Sequence, residues 1–331
     1  MPSGRLPLII AGLLGLFLGA VHAAVPPALE LEAKIPLGDV KGRIDHFAID
    51  LDRQRLFVAE LGNDSVGVID LKERKTIRTI TGLSGPQGLG YVRSTDTLYV
   101  ANAGDGSVRL FTGAELTPNG RIEFDEDADN IRVDGETDRI YIGYGNGALS
   151  VVDPSSRAEI AHIPLAGHPE SFQIDRAGGR IFVNVPDAEQ IAVIDIALGK
   201  QVMTWPTRDA RANFPMTFDG ETRRVIAGFR EPPRLMAFDA RDGNVLANLD
   251  LCGDTDDVFV DSMRHRIYVA CGEGAVDIFE QRGTGYERIG RVATASGART
   301  ALFVPEMDRL FVAVREAPGE LAAVWVFHPA P

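Results

Sequence analysis

The sequence lacks most of the short signatures that announce an enzyme. It has no G-x-S-x-G elbow, P-loop, dinucleotide fingerprint, H-E-x-x-H pair or C-x-x-C-H haem attachment. Positive charge is also scarce, with 34 Lys plus Arg against 47 Asp plus Glu, a net charge of -13. An acidic surface repels phosphate backbones and anionic lipid, so nucleic acid is excluded as the expected partner. There are only two cysteines, Cys252 and Cys271. Only one long apolar run occurs, at the very start, and it is too short for a comfortable membrane span.

That run has the build of a leader. Met1 to Arg5 carry one positive charge, Leu6 to Val21 are almost wholly apolar, and Val21-His22-Ala23 has the small-x-small pattern of a signal-peptidase site. The reading is a signal peptide over residues 1–23, a mature chain over residues 24–331 without a membrane span, and a periplasmic or secreted location. No cysteine sits at the cleavage point, which argues against a lipid anchor. In that compartment the cysteine pair reads as a disulfide, worth roughly 3 kcal/mol in the chain-entropy view. The other reading is two thiols serving a soft metal.

What the chain has in abundance is turns, with 35 Gly and 19 Pro, and an internal repeat. One segment recurs seven times: RIDHFAID, GPQGLGYV, DADNIRVD, HPESFQID, ANFPMTFD, DTDDVFVD and GARTALFV. The third residues are Asp45, Gln87, Asp129, Glu170, Phe214, Asp256 and Arg299, spaced by 42, 42, 41, 44, 42 and 43 positions. Each segment is followed by a polar turn and an alternating run such as RLFVAEL or RIYVACG, then a third run such as SVGVIDL. A fourth, more polar run such as TIRTITG completes the unit. β-Branched and aromatic residues between turn signals make all of these strands.

Seven four-stranded antiparallel sheets, each too small to bury both faces alone, are stable when packed around an axis. The expected fold is therefore all-β, a single seven-bladed β-propeller. The seventh unit lacks its outer strand, and LELEAKIPL at Leu29 to Leu37 is left over before the first. That N-terminal strand should close the ring. The second and third strands (RLFVAEL, TLYVANA, RIYVACG, then V-x-D) make the chain similar to the YVTN-type propeller repeats of bacterial secreted and surface proteins. Propellers related in this way include binding proteins, scaffolds, lactonases and lyases, so the resemblance implies a fold and a range of activities.

Repeated polar residues and variable ones separate cleanly. Asp50, Asp134, Asp175, Asp219 and Asp261 end the first strand of most units, and Asp70, Asp153, Asp195 and Asp239 end the third, as turn chemistry requires. The entry to the innermost strand varies instead, and it faces the channel mouth. The candidate ligand residues there are Asp45, His46, Gln87, Asp129, Asn130, His168, Glu170, Asn213, Asp256, Asp257 and Arg299. Converging carboxylates must take up protons, pair with Arg299 or hold a cation. As metal ligands the reading selects Asp129, Glu170, Asn213 and Asp256, for Ca²⁺, Mg²⁺ or Mn²⁺, or for Zn²⁺ if His46 and His168 engage. The alternative is a water-filled channel that keeps the carboxylates hydrated and apart. Glu60, Asn63, Asp105, Asn146, Asp187, Arg230, Glu231, Glu273, Arg315 and Glu316 fall on loops of the same face.

Three functions stay open. The first is a non-catalytic binding propeller, acting as a monomer, for a small molecule, a metal ion or a protein partner. The second is a metal-dependent lactonase or hydrolase of the gluconolactonase-like type. The third is an accessory to quinoprotein redox enzymes, which rests on fold resemblance alone.

Overall fold

The computed structural model describes Met1 and residues 27–124, 126–207 and 209–331. The leader therefore lies outside the described residues, apart from its first methionine. The described chain forms seven four-stranded sheets, and in all but one the strands pair in simple sequence order. The first blade shows the plan. Phe47–Asp50 lines the axis, Arg55–Glu60 and Ser65–Asp70 follow, and Lys75–Thr81 is outermost. Its second and third strands are buried almost throughout, whereas the outer strand is exposed at most positions. A strand packed on both faces needs apolar residues on both, which is why RLFVAE and SVGVID read as continuous apolar runs.

The exception is the seventh blade, built from Ala301–Val304, Arg309–Val314 and Ala322–Pro329 with Leu29–Gly38 as its outer strand. Leu29 pairs with Pro329 and Ile35 with Val324, so the two ends of the chain are hydrogen-bonded into one sheet. Lys34 also caps Trp325, its ammonium 3.8 Å from the ring centre.

One apolar cluster fills each blade interface. Between blades seven and one, Ile35, Leu37, Phe311 and Val324 meet Leu56, Val58 and Ile69. The opposite interfaces have equivalent sets, such as Phe182, Trp205, Met216 and Phe238 between blades four and five. Burial of this kind, at about 25 cal/mol per Å² of apolar surface, is what holds each blade against its neighbours.

The repeated aspartates close turns as expected. Asp50 accepts hydrogen bonds from the amides of Asp52 and Arg53, and Asp219 from those of Glu221 and Thr222. Several also take a guanidinium across a blade boundary. Arg223 reaches back to Asp175, Arg176 to Asp134, and Arg264 bonds both its own Asp261 and Asp308 of the next blade. The turn aspartates therefore tie blades together on the face opposite the channel mouth.

Cys252 and Cys271 are bonded, with Cα atoms 5.8 Å apart, and both are buried at the mouth end of blade six.

Candidate functional site at the channel mouth

The residues that enter the innermost strands are brought to one end of the channel, where they surround a cavity of about 300 Å³. Four of these strands carry a register shift near their start, in Pro86–Val92, Ala128–Val133, Arg211–Asp219 and Thr255–Asp261. A bulge breaks the strict alternation of faces, so neighbouring side chains can point the same way. Asp129 and Asn130 both line the cavity for this reason, as do Asp45, His46, Gln87, His168, Glu170, Asp256 and Arg299.

Two of the sequence candidates do not join them. Asn213 is fully buried and turned into blade packing, where its amide donates to Asn184 Oδ1 at 2.9 Å and to the Gln190 carbonyl. The bulge between Asn213 and Met216 turns Phe214, rather than Asn213, toward the cavity. Asp257 lies deeper in the channel, accepting the Ala301 amide at 2.8 Å. Glu60 also leaves the mouth: it is buried in blade one and accepts a hydrogen bond from Ser65 at 2.6 Å.

The carboxylates that remain have different fates. Asp45 is paired with Arg43 at 2.7 Å. Asp256 is held between Arg230 at 2.6 Å and Arg299 at 3.0 Å, and the Arg230 guanidinium lies 3.8 Å from the ring centre of Phe214. Asp256 is thus neutralised by arginine and stands apart from the other expected metal ligands. Arg43 and Asp127 were not singled out from sequence, whereas Arg230, expected on this face as a residue that could receive an anionic group, pairs with Asp256. Arg43 and Asp127 do lie just ahead of inner strands, and that position was the available signal.

Asp129, His168 and Glu170 are left as a group. One ligand atom from each lies within 4.8 Å of the others. His168 Nε2 stands 3.5 Å from Asp129 Oδ2, and Nδ1 is 2.6 Å from the carbonyl oxygen of Gly145. Because a carbonyl can only accept, Nδ1 carries a proton and the Nε2 edge faces the two carboxylates. Crowding raises the proton affinity of Glu170 and His168. Burial, and then the charge of Asp129, push the Glu170 carboxyl up to about 8. The contact with Asp129 lifts His168 to about 9. Burial likewise takes Asp45 to about 6.

His46 sits between two acids, 3.8 Å from Asp45 and 3.9 Å from Asp257. Burial opposes its protonation, but the charges of Asp45, Asp257 and Asp129 outweigh that and raise its pKa.

The mouth is therefore divided. Acids and an imidazole gather on blades three and four, and Arg43, Arg230 and Arg299 stand on the other side. One histidine and two carboxylates, with space beside them, form a donor set suited to a borderline divalent ion that keeps open positions.

Fold and site together define a seven-bladed β-propeller with a charged pocket at one end of its channel, the architecture of a binding scaffold. No family model matches the sequence, and no curated protein matches it. Solved structures do match, 1672 chains in all, which marks a widely reused fold. A chain of hydrazine synthase from Kuenenia stuttgartiensis superposes with a TM-score of 0.75 at 16% identity, over 95% of this chain and 99% of that one. A chain of a mitotic checkpoint complex gives 0.76 at 12% identity, over 97% and 100%. At such identities the likeness establishes the propeller and nothing of its chemistry.

Proposed function

We propose that this protein is an exported binding propeller that holds a divalent metal ion at Asp129, His168 and Glu170. The observation that carries the proposal is the orientation of His168. A backbone carbonyl fixes its tautomer and aims Nε2 at two carboxylates, the outer-shell arrangement that metal-binding histidines use. His168 Nε2 faces Asp129 at 3.5 Å and that contact raises the pKa of His168, so the group favours positive charge at this point. The arginines across the pocket favour a ligand with an anionic group that binds beside the ion. The leader sequence and the disulfide support an extracytoplasmic location, and the V-x-D strands support a YVTN-type repeat.

The test is metal analysis of purified protein, with thermal melts in chelator and in added Zn²⁺, Mn²⁺, Ca²⁺ or Mg²⁺. A near-stoichiometric ion and a higher Tm, both lost in His168→Ala, support the reading. No ion and no shift with any of the four remove it. Chelator-sensitive turnover of lactones or esters by the loaded protein would favour the hydrolase.

A further inference from the structure

Below the mouth the channel widens into a second cavity of about 430 Å³, and His46 lines both. Its wall is the residue three places further along each inner strand: Ala48, Gly90, Arg132, Gln173, Thr217, Phe259 and Leu302. This ring differs in kind from the one above it. Those seven side chains carry a single charge, the Arg132 guanidinium, while Asp257 and His46, 3.9 Å apart, complete the polar lining of the cavity. Ala48 and Gly90 leave room on one side, while Phe259, Leu302 and the nearby Ile49 and Val133 supply apolar surface.

Arg132 is the anomaly. Its guanidinium donates to the Ile131 carbonyl at 2.8 Å and to Ser171 Oγ at 3.2 Å, both neutral acceptors. Among the described residues no carboxylate lies within ion-pair distance. Burial lowers its pKa, and the more distant charges of Asp257 and Asp129 offset this only in part. The arginines of the mouth, Arg43, Arg230 and Arg299, all have carboxylate partners within 3.0 Å. A partly buried cation without a counter-ion is unfavourable, and a bound anion would remove that penalty.

We propose that this lower cavity binds a small carboxylate with an apolar body, its carboxylate on Arg132 and its body against Phe259 and Leu302. The volume lies within the range of small-molecule sites. A planar guanidinium suits a carboxylate better than an alcohol or an amine. The proposal is independent of the metal reading, because it uses none of Asp129, His168 or Glu170.

The experiment is calorimetric titration of the full chain with octanoate, octanol and octylammonium as probes. Octanoate should bind, with octanol and octylammonium at least about tenfold weaker, and Arg132→Gln should cost octanoate about tenfold, the loss of one charge-assisted contact. Equal binding of octanol, or no effect of Arg132→Gln, overturns the proposal. So does a loss in Arg299→Gln that is absent in Arg132→Gln, because the carboxylate would then sit in the mouth. If Arg132→Gln does not fold, Arg132→Lys and Phe259→Ala decide: each should weaken octanoate several-fold, and unchanged binding in both overturns the assignment.

Discussion

The imidazole of His168 donates from Nδ1 to the carbonyl oxygen of Gly145 across 2.6 Å. The loop that ends the second strand of blade three thus sets the direction of a side chain at the entry to blade four. Glu170 has a different status, since its carboxyl has no hydrogen-bond or ion-pair partner among the described residues and faces other acids. Glu170→Gln should therefore leave the metal-free protein at least as stable as the parent, and more stable near neutral pH, because it removes a carboxyl whose pKa burial raises. It should also abolish the metal-induced rise in Tm. Thermal melts of parent and variant with and without Zn²⁺ check both points.

Asp256 should behave in the opposite way. Its neutralisation would leave Arg230 and Arg299 beside each other in a partly buried site with only the more exposed Asp254 as a shared counter-charge. Asp256→Asn is expected to destabilise by about 2–4 kcal/mol, read by urea or thermal unfolding. A change below about 0.5 kcal/mol would mean that water screens this triad as it does a surface pair.

Stability should fall between mildly acid and mildly alkaline pH. Burial pushes Asp257 up to about 7, well above its value in the unfolded chain. The folded state then holds a proton that the unfolded state has lost, so stability is full below about pH 4 and declines as pH rises through 7. Asp45 and Glu170 act in the same direction. Asp257→Asn, which can still accept the Ala301 amide, should flatten the decline by about 2–4 kcal/mol between pH 5 and 8. Urea midpoints at the two pH values measure it.

Reduction of the Cys252–Cys271 bond releases a loop with a sequence separation of 19 and should cost roughly 3 kcal/mol. A Cys252→Ser, Cys271→Ser variant should show the same loss of Tm as the reduced parent, and no further loss when reductant is added.

The fold was legible because its unit repeats about every 42 residues, so each weak strand signal was read seven times. Even the missing outer strand of blade seven identified its replacement at Leu29. The site was legible only in part. Asp129 and Glu170 share one register and could be placed together, and that register puts Phe214 at the fifth blade's place; Asn213, taken as the polar residue beside it, is turned into blade packing, and the bulge between Asn213 and Met216 leaves no mark in ANFPMTFD. Pairing of a carboxylate with Arg299 was among the expected outcomes and Asp256 shows it, but its second partner was not expected, because Arg230 lies at the end of a different strand in another blade and residue spacing does not reveal such long-range partners. Arg132 was hidden for a further reason: among seven inner-strand residues at its level it is the single charge, and only the assembled ring gives that a meaning.

The pairing of Leu29–Gly38 with Ala322–Pro329 also dictates an order of events. The strand Leu29–Gly38 must wait, unpaired, until Ala322–Pro329 has been made, whereas each of the first six sheets can zip from neighbours only a few residues away. The slowest contact to form is thus the one that ends the search. A chain cut short before Pro329 would have an open seam at both ends and no means of shutting it. Completion of the ring is in this sense a check on both partners: only a chain that holds Leu29–Gly38 and Ala322–Pro329 together can lose its edges.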